Sequence, residues 1–171
     1  KSPNSKALTE IPTDVHGVSK KVIHKLPMLS LDKCYDDETL SDWAEKFEGD
    51  IVASPKIDGC AVSLRYDSGG VLSLASTRGD GVEGEEITSN VLNIKSIPKK
   101  IGMHDVEVRG EVYMSLSVFA GYKNQFANPR NLAAGAIKQK NSKKTGEYNL
   151  SFFAYDLLGV DAKTEEEKYS N

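Results

Sequence analysis

Residues 50–79 read DIVASPKID, G, CAVSLRYD, SGG, VLSLASTRG: three short runs rich in aliphatic and β-branched residues, punctuated only by single glycines and a three-residue turn. Joins that short cannot carry the crossover a parallel pair needs, so the stretch predicts an antiparallel β-meander. This commits the chain to antiparallel sheets before anything else is known of it.

The remaining elements fit around that meander. In DDETLSDWAEKFEG (36–49), Leu40, Trp43, Ala44 and Phe47 recur at helical spacing, acids fill the first turn and Gly49 marks the stop, which predicts an amphipathic helix. EEITSNVLNI (85–94) places Ile87, Val91 and Ile94 at helical spacing before Pro98, and NLAAGAIKQ (131–139) reads as a small-residue helix. VEVRGEVYM (106–114) alternates, with Val106, Val108, Val112 and Met114 on one side and Glu107, Arg109, Glu111 and Tyr113 on the other. LSFFAYDLL (150–158) reads as a last strand. Helices and strands without a regular βαβ rhythm predict an α+β fold, largely antiparallel sheets with flanking helices. Residues 1–20, polar and carrying Pro3 and Pro12, read as an arm or linker, residues 21–160 as the folded unit, and residues 161–171 as a flexible acidic tail.

Composition removes several function classes. A chain of 171 residues, 39% hydrophobic and 27% charged, can bury a core, and no apolar run reaches membrane-spanning length. Cys34 and Cys60 offer neither a disulfide framework nor a CxxC pair, and the three histidines lack zinc-ligand spacing, so a cytoplasmic chain without a metal site of its own is expected. A net charge of −3 does not indicate a general polyanion binder; contact with nucleic acid would rest on patches such as KSIPKK (95–100) or KQKNSKK (138–144). The first residue is Lys1 rather than Met, with no signal-peptide core behind it, which reads as a piece of something longer.

Four constellations carry chemistry. In SPKIDG (54–59) a lysine follows a proline and precedes an Asp-Gly step; only its neutral amine is nucleophilic, and the ordinary pKa of ~10.4 leaves little of it at neutral pH, so a working Lys56 needs cations or burial nearby. An extended 56–58 stretch puts Asp58 on the same face as Lys56, where it could orient the amine or help hold a metal ion. TRGDGVEGEE (77–86) could bring backbone amides to a phosphate, although its acids already suit the helix dipole and Arg78 is the better cation for an anion. Glu107, Arg109 and Glu111 form either the solvent side of an edge strand or a pocket wall. In FANPRNLAAGAIKQ (126–139), Arg130 lies in a first helical turn, against the dipole, which suggests that it faces an anion. Each of the four, taken alone, has an ordinary structural reading as well.

HKLPMLSLDK, SPKIDG, STRGDGVEGEEITSNV, VEVRGEVY and FANPRNLAAGAIKQ, in this order over residues 24–157, closely resemble the adenylation domain of the NAD-dependent DNA ligases. The resemblance implies a nucleotidyltransferase, ATP-grasp-like fold, truncated before its last motifs, and an enzyme in which Lys56 attacks the α-phosphorus of NAD. It implies Ser30 and Leu31 bordering the nucleotide, Arg78 near the adenylate, Glu111 on the ribose, Arg130 on phosphate or DNA, and Asp58 with Gly59 completing the nucleophile motif. Magnesium and nicked double-stranded DNA are the implied cofactor and partner, together with a second polypeptide or the absent ligase domains. Two positions depart from the family pattern: Ser54 stands where a glutamate usually meets adenine, and Lys138 where an arginine is common. The rival readings are an ATP-dependent ligase or capping-type nucleotidyltransferase, which shares KxDG, and a degenerate module that binds nucleotide or a partner without turnover.

Overall fold

The computed structural model describes residues 20–161 and Glu167; the arm before residue 20 and most of the acidic tail lie outside them. The centre is an antiparallel sheet of four strands in the order β3-β2-β5-β6, with β2 at Cys60–Tyr66, β3 at Leu72–Thr77, β5 at Glu107–Tyr113 and β6 at Ser151–Leu158. A second antiparallel pair joins β1 (Lys21–Ile23) to β4 (Glu83–Glu85). The architecture is α+β, and its five α-helices among the described residues are short.

The β2–β3 hairpin forms as its turn chemistry requires. Asp67 Oδ1 accepts the N–H groups of Gly69 at 2.9 Å and Val71 at 3.0 Å, and Gly70 takes φ +71°, a conformation that L side chains resist. One face of the sheet carries the core: Val62, Leu64, Tyr66, Ala75, Val106, Val112 and Met114 are buried against Ile87, Val91 and Ile94 and against Leu132, Ala133, Ala136 and Ile137. The latter group belongs to α4 (Pro129–Ala136) and its C-cap, started by Asn128, whose side chain accepts from Asn131 N–H at 2.8 Å, with Pro129 as the first residue.

Three expectations change. DIVASPKID forms no strand: residues 51–58 are without regular structure, and Ile51 and Val52 stand exposed, because no neighbouring strand offers them a ladder. The helix α1 forms at Asp37–Ala44, capped by Asp36 accepting from Thr39 N–H at 2.7 Å, but it buries no residue, and Leu40 and Phe47 are exposed. Its apolar stripe is real, yet Trp43 and Phe47 meet chiefly each other, with ring centroids 5.0 Å apart. The helix read at 85–94 shrinks to α2, a single turn at Thr88–Val91, because Glu85 is taken by β4; Ile87, Val91 and Ile94 are nevertheless buried.

Candidate active site

The face of the sheet opposite the core is polar, and its residues line up across the strands. Ala61 pairs with Glu111, and Glu111 with Phe153. Arg78, one residue beyond β3, donates its N–H to Ala61 O at 2.9 Å. Arg78, Ala61, Glu111 and Phe153 therefore form one row across four strands, and paired residues of an antiparallel ladder share a face.

Lys56 reaches this row through the turn behind it. Gly59 donates its N–H to Glu111 Oε1 at 3.2 Å, and a Cβ at Gly59 would fall 2.3 Å from Val112 O. The glycine of SPKIDG is thus required for close approach to β5. Lys56 itself is exposed. Asp58, also exposed, pairs with Arg130 Nη1 at 3.4 Å, which answers what the arginine in the first turn of α4 faces within this chain.

Glu111 gathers the cations. Burial pushes its carboxyl above the usual range, and the Gly59 N–H with the charges of Lys56, Arg130 and Arg78 offsets this only in part. The Gly59–Glu111 and Asp58–Arg130 contacts bring the loop of Lys56 and the start of α4 to the row that holds Arg78 and Glu111. Cys60 lies beside them, its thiol pushed up first by burial and then by Glu111, so it is a poorer nucleophile than an ordinary cysteine. Ser30, Leu31 and Ser54 are exposed.

The glycine-rich stretch spends several of its amides on its own turn. Asp80 Oδ1 accepts from Val82 and Glu83 N–H at 2.9 Å each, Gly81 N–H is spent on Arg78 O, and Asp80 N–H on Glu83 O. Gly79 and Gly81 have φ of +58° and +97°, and a Cβ at Gly84 would lie 1.7 Å from Thr77 O, so these glycines serve the fold. Lys138 pairs with Glu85 over 2.5 Å.

Glu107 and Arg109 overturn their bland reading. The strand that carries them is central, not an edge, and both are buried, joined at 2.9 Å, with Arg65 on Glu107 at 3.3 Å. Periodicity could not show this; the presence of predicted strands on both sides in sequence was the available signal. Among the described residues no group of three His, Cys, Asp or Glu side chains could hold a metal ion, and the nearby carboxylates, Asp58 and Glu111, are already engaged with Arg130 and Gly59.

A half-buried carboxylate tied to the loop of an exposed lysine, with one arginine in its own row and another paired to Asp58, makes a cation-rich site suited to an anionic ligand. Comparison with known proteins names the family. The family model for the NAD-dependent DNA ligase adenylation domain matches residues 17–171, and the chain belongs to that family. It is 41% identical over 174 residues to a DNA ligase of Bradyrhizobium sp. (strain ORS 278), covering 87% of this chain and 24% of that protein. A DNA ligase of Mesorhizobium japonicum is 45% identical over 157 residues, covering 79% and 21%, and one of Thermosipho africanus 39% over 171 residues, covering 88% and 26%. The chain spans about a quarter of the length of these relatives.

Proposed function

We propose that the chain is the nucleophile-bearing part of an NAD-dependent DNA ligase, with a nucleotidyltransferase fold, working in the cytoplasm with the remaining ligase domains or a second polypeptide. The observation that carries this is the Gly59–Glu111 hydrogen bond, which ties the loop of Lys56 to the row that holds Arg78 and Glu111. Neutral Lys56 Nζ attacks the α-phosphorus of NAD; the N–P bond forms as the pyrophosphate P–O bond breaks, and nicotinamide mononucleotide leaves with the electron pair. The lysine sheds a proton, leaving a lysyl–AMP phosphoramidate. AMP then passes to the 5′-phosphate at a DNA nick, and the 3′-hydroxyl displaces it.

The residues divide this work by charge. Arg78 and Arg130 stabilise the charge developing on the phosphate. Glu111, ionised, accepts from ribose hydroxyls; Asp58 orients the amine and holds Arg130. Ser30 and Leu31 border the nucleotide, and Ser54 stands at the adenine. Magnesium, when bound, would supply charge neutralisation at the phosphates. The test is the adenylate donor: the complete protein, given nicked DNA and magnesium, seals with NAD and not with ATP. Sealing with ATP alone would move the chain to the ATP-dependent ligases, and failure with both would leave a binding module.

A further inference from the structure

The polar face of the sheet divides in two. The row of Arg78 and Glu111 is open, whereas Arg65, Glu107 and Arg109, two and four residues along the same strands, lie beneath residues 23–28. Arg109 donates from Nη1 to Pro27 O at 3.1 Å and from Nη2 to Leu26 O at 2.5 Å, and Arg65 Nη2 donates to Ile23 O at 3.0 Å. Glu107 braces the pair, accepting from Arg109 Nε at 2.9 Å and Arg65 Nε at 3.3 Å. Burial pushes the Glu107 carboxyl up, but the hydrogen bond and charge of Arg109, with Arg65, more than offset it and leave it below the usual range.

The same segment is bonded on its other side to the turn that carries Arg78. His24 N–H donates to Val82 O at 2.9 Å, Met28 N–H to Gly81 O at 2.8 Å, and His24 Nε2 lies 3.1 Å from Arg78 O. Residues 23–28 therefore form a bridge: three carbonyls held by buried Arg109 and half-buried Arg65 below, and contacts to the Arg78–Val82 turn beside. The bridge leads directly into Ser30 and Leu31.

We infer that Arg109, braced by Glu107 and aided by Arg65, is a positioning residue for the nucleotide site, clamping the main chain of residues 23–28 and thereby fixing both the Arg78 turn and the Ser30–Leu31 exit. None of the three need touch the nucleotide. A guanidinium suits the task because one planar fork serves two successive carbonyls and a carboxylate at once, which an ammonium cannot do in the same geometry. This inference rests on the proposed adenylation of Lys56.

The test uses the complete protein with Arg109→Lys, the charge-neutral pair Glu107→Gln/Arg109→Gln, and Arg65→Gln, the last less buried and so easier to accommodate. Lys56–AMP formation is followed by intact mass against NAD concentration, and amide exchange is read at residues 24–31 and at β2 and β5. The expected result is a half-saturating NAD concentration raised about tenfold in Arg109→Lys, as losing one charge-assisted bond implies, with a smaller change in limiting rate. Exchange should rise at residues 24–31 while β2 and β5 keep their protection, and Arg65→Gln should move the same way by less. Half-saturation within about twofold of the parent overturns the inference, as does a loss of protection spread evenly over the sheet. A parent that forms no NAD-dependent adduct overturns the proposed function itself; a parent that does, matched by its variants, overturns only the clamp.

Discussion

Gly59 donates its main-chain N–H to Glu111 Oε1 across 3.2 Å, so the turn behind the candidate nucleophile is tied to the acid on the neighbouring strand. The two motifs are one structural unit. A Cβ at Gly59 would stand 2.3 Å from Val112 O and 2.9 Å from Tyr113 Cβ, and backbone cannot yield as a flexible side chain can. Gly59→Ala is expected to lose about 1–3 kcal/mol of stability through overpacking and to slow adduct formation on Lys56. Urea unfolding checks the first and intact mass the second; an unchanged midpoint would contradict the contact.

Glu111 costs stability at neutral pH. Its raised carboxyl binds more protons folded than unfolded between the ordinary and the raised pKa, so stability falls as pH climbs through that window and the loss is complete above it. Glutamine escapes this cost while still accepting the Gly59 N–H. Glu111→Gln is expected to melt above the parent at neutral pH, with the difference vanishing on acidification below the ordinary carboxylate range. Nucleotide binding should weaken, because the charged acceptor for ribose hydroxyls is gone. A variant that is less stable at neutral pH, or that binds AMP as well as the parent, would contradict this.

The Asp58–Arg130 pair separates function from stability. Both side chains are largely exposed, at 73% and 60%, so the pair contributes only about 0–1 kcal/mol to folding. Arg130→Ala should leave the melting temperature nearly unchanged and cut the rate of adduct formation by orders of magnitude if its charge meets the transferred phosphate. A near-parental rate would assign Arg130 to the surface alone.

Much of this was legible in the sequence, for reasons that differ by residue. The hairpin, the buried alternation of Val106, Val112 and Met114 and the helix start at Pro129 follow from local turn chemistry and periodicity, which need no partner. The 51–58 segment was misread because a strand needs a neighbour, and pattern does not supply one. Glu107 and Arg109 were ambiguous because alternation assigns a face and not what covers it; the cover is residues 23–28, some eighty positions away. The glycines around Arg78 serve the turn: Gly81 donates to Arg78 O, and Gly79 and Gly81 take positive φ.

Ser54 tests the departure from the family pattern. It is exposed, so a longer acid can be accommodated without repacking. Ser54→Glu is expected to tighten binding of the adenosine part, since a hydrogen bond to a charged group contributes about 1.5–3 kcal/mol against about 1 for a neutral one. Calorimetry with AMP on the complete protein decides; unchanged or weaker affinity would remove Ser54 from the adenine contact.

The most direct measurement is intact mass of the complete protein after incubation with NAD and magnesium, followed by peptide mapping. The expected result is a gain of one AMP, located on Lys56 and absent in Lys56→Ala, while residues 1–171 alone accumulate none, for want of the donors and leaving-group contacts of the remaining protein. An adduct that survives Lys56→Ala, or that maps to any other residue, would contradict the assignment of Lys56 as the nucleophile.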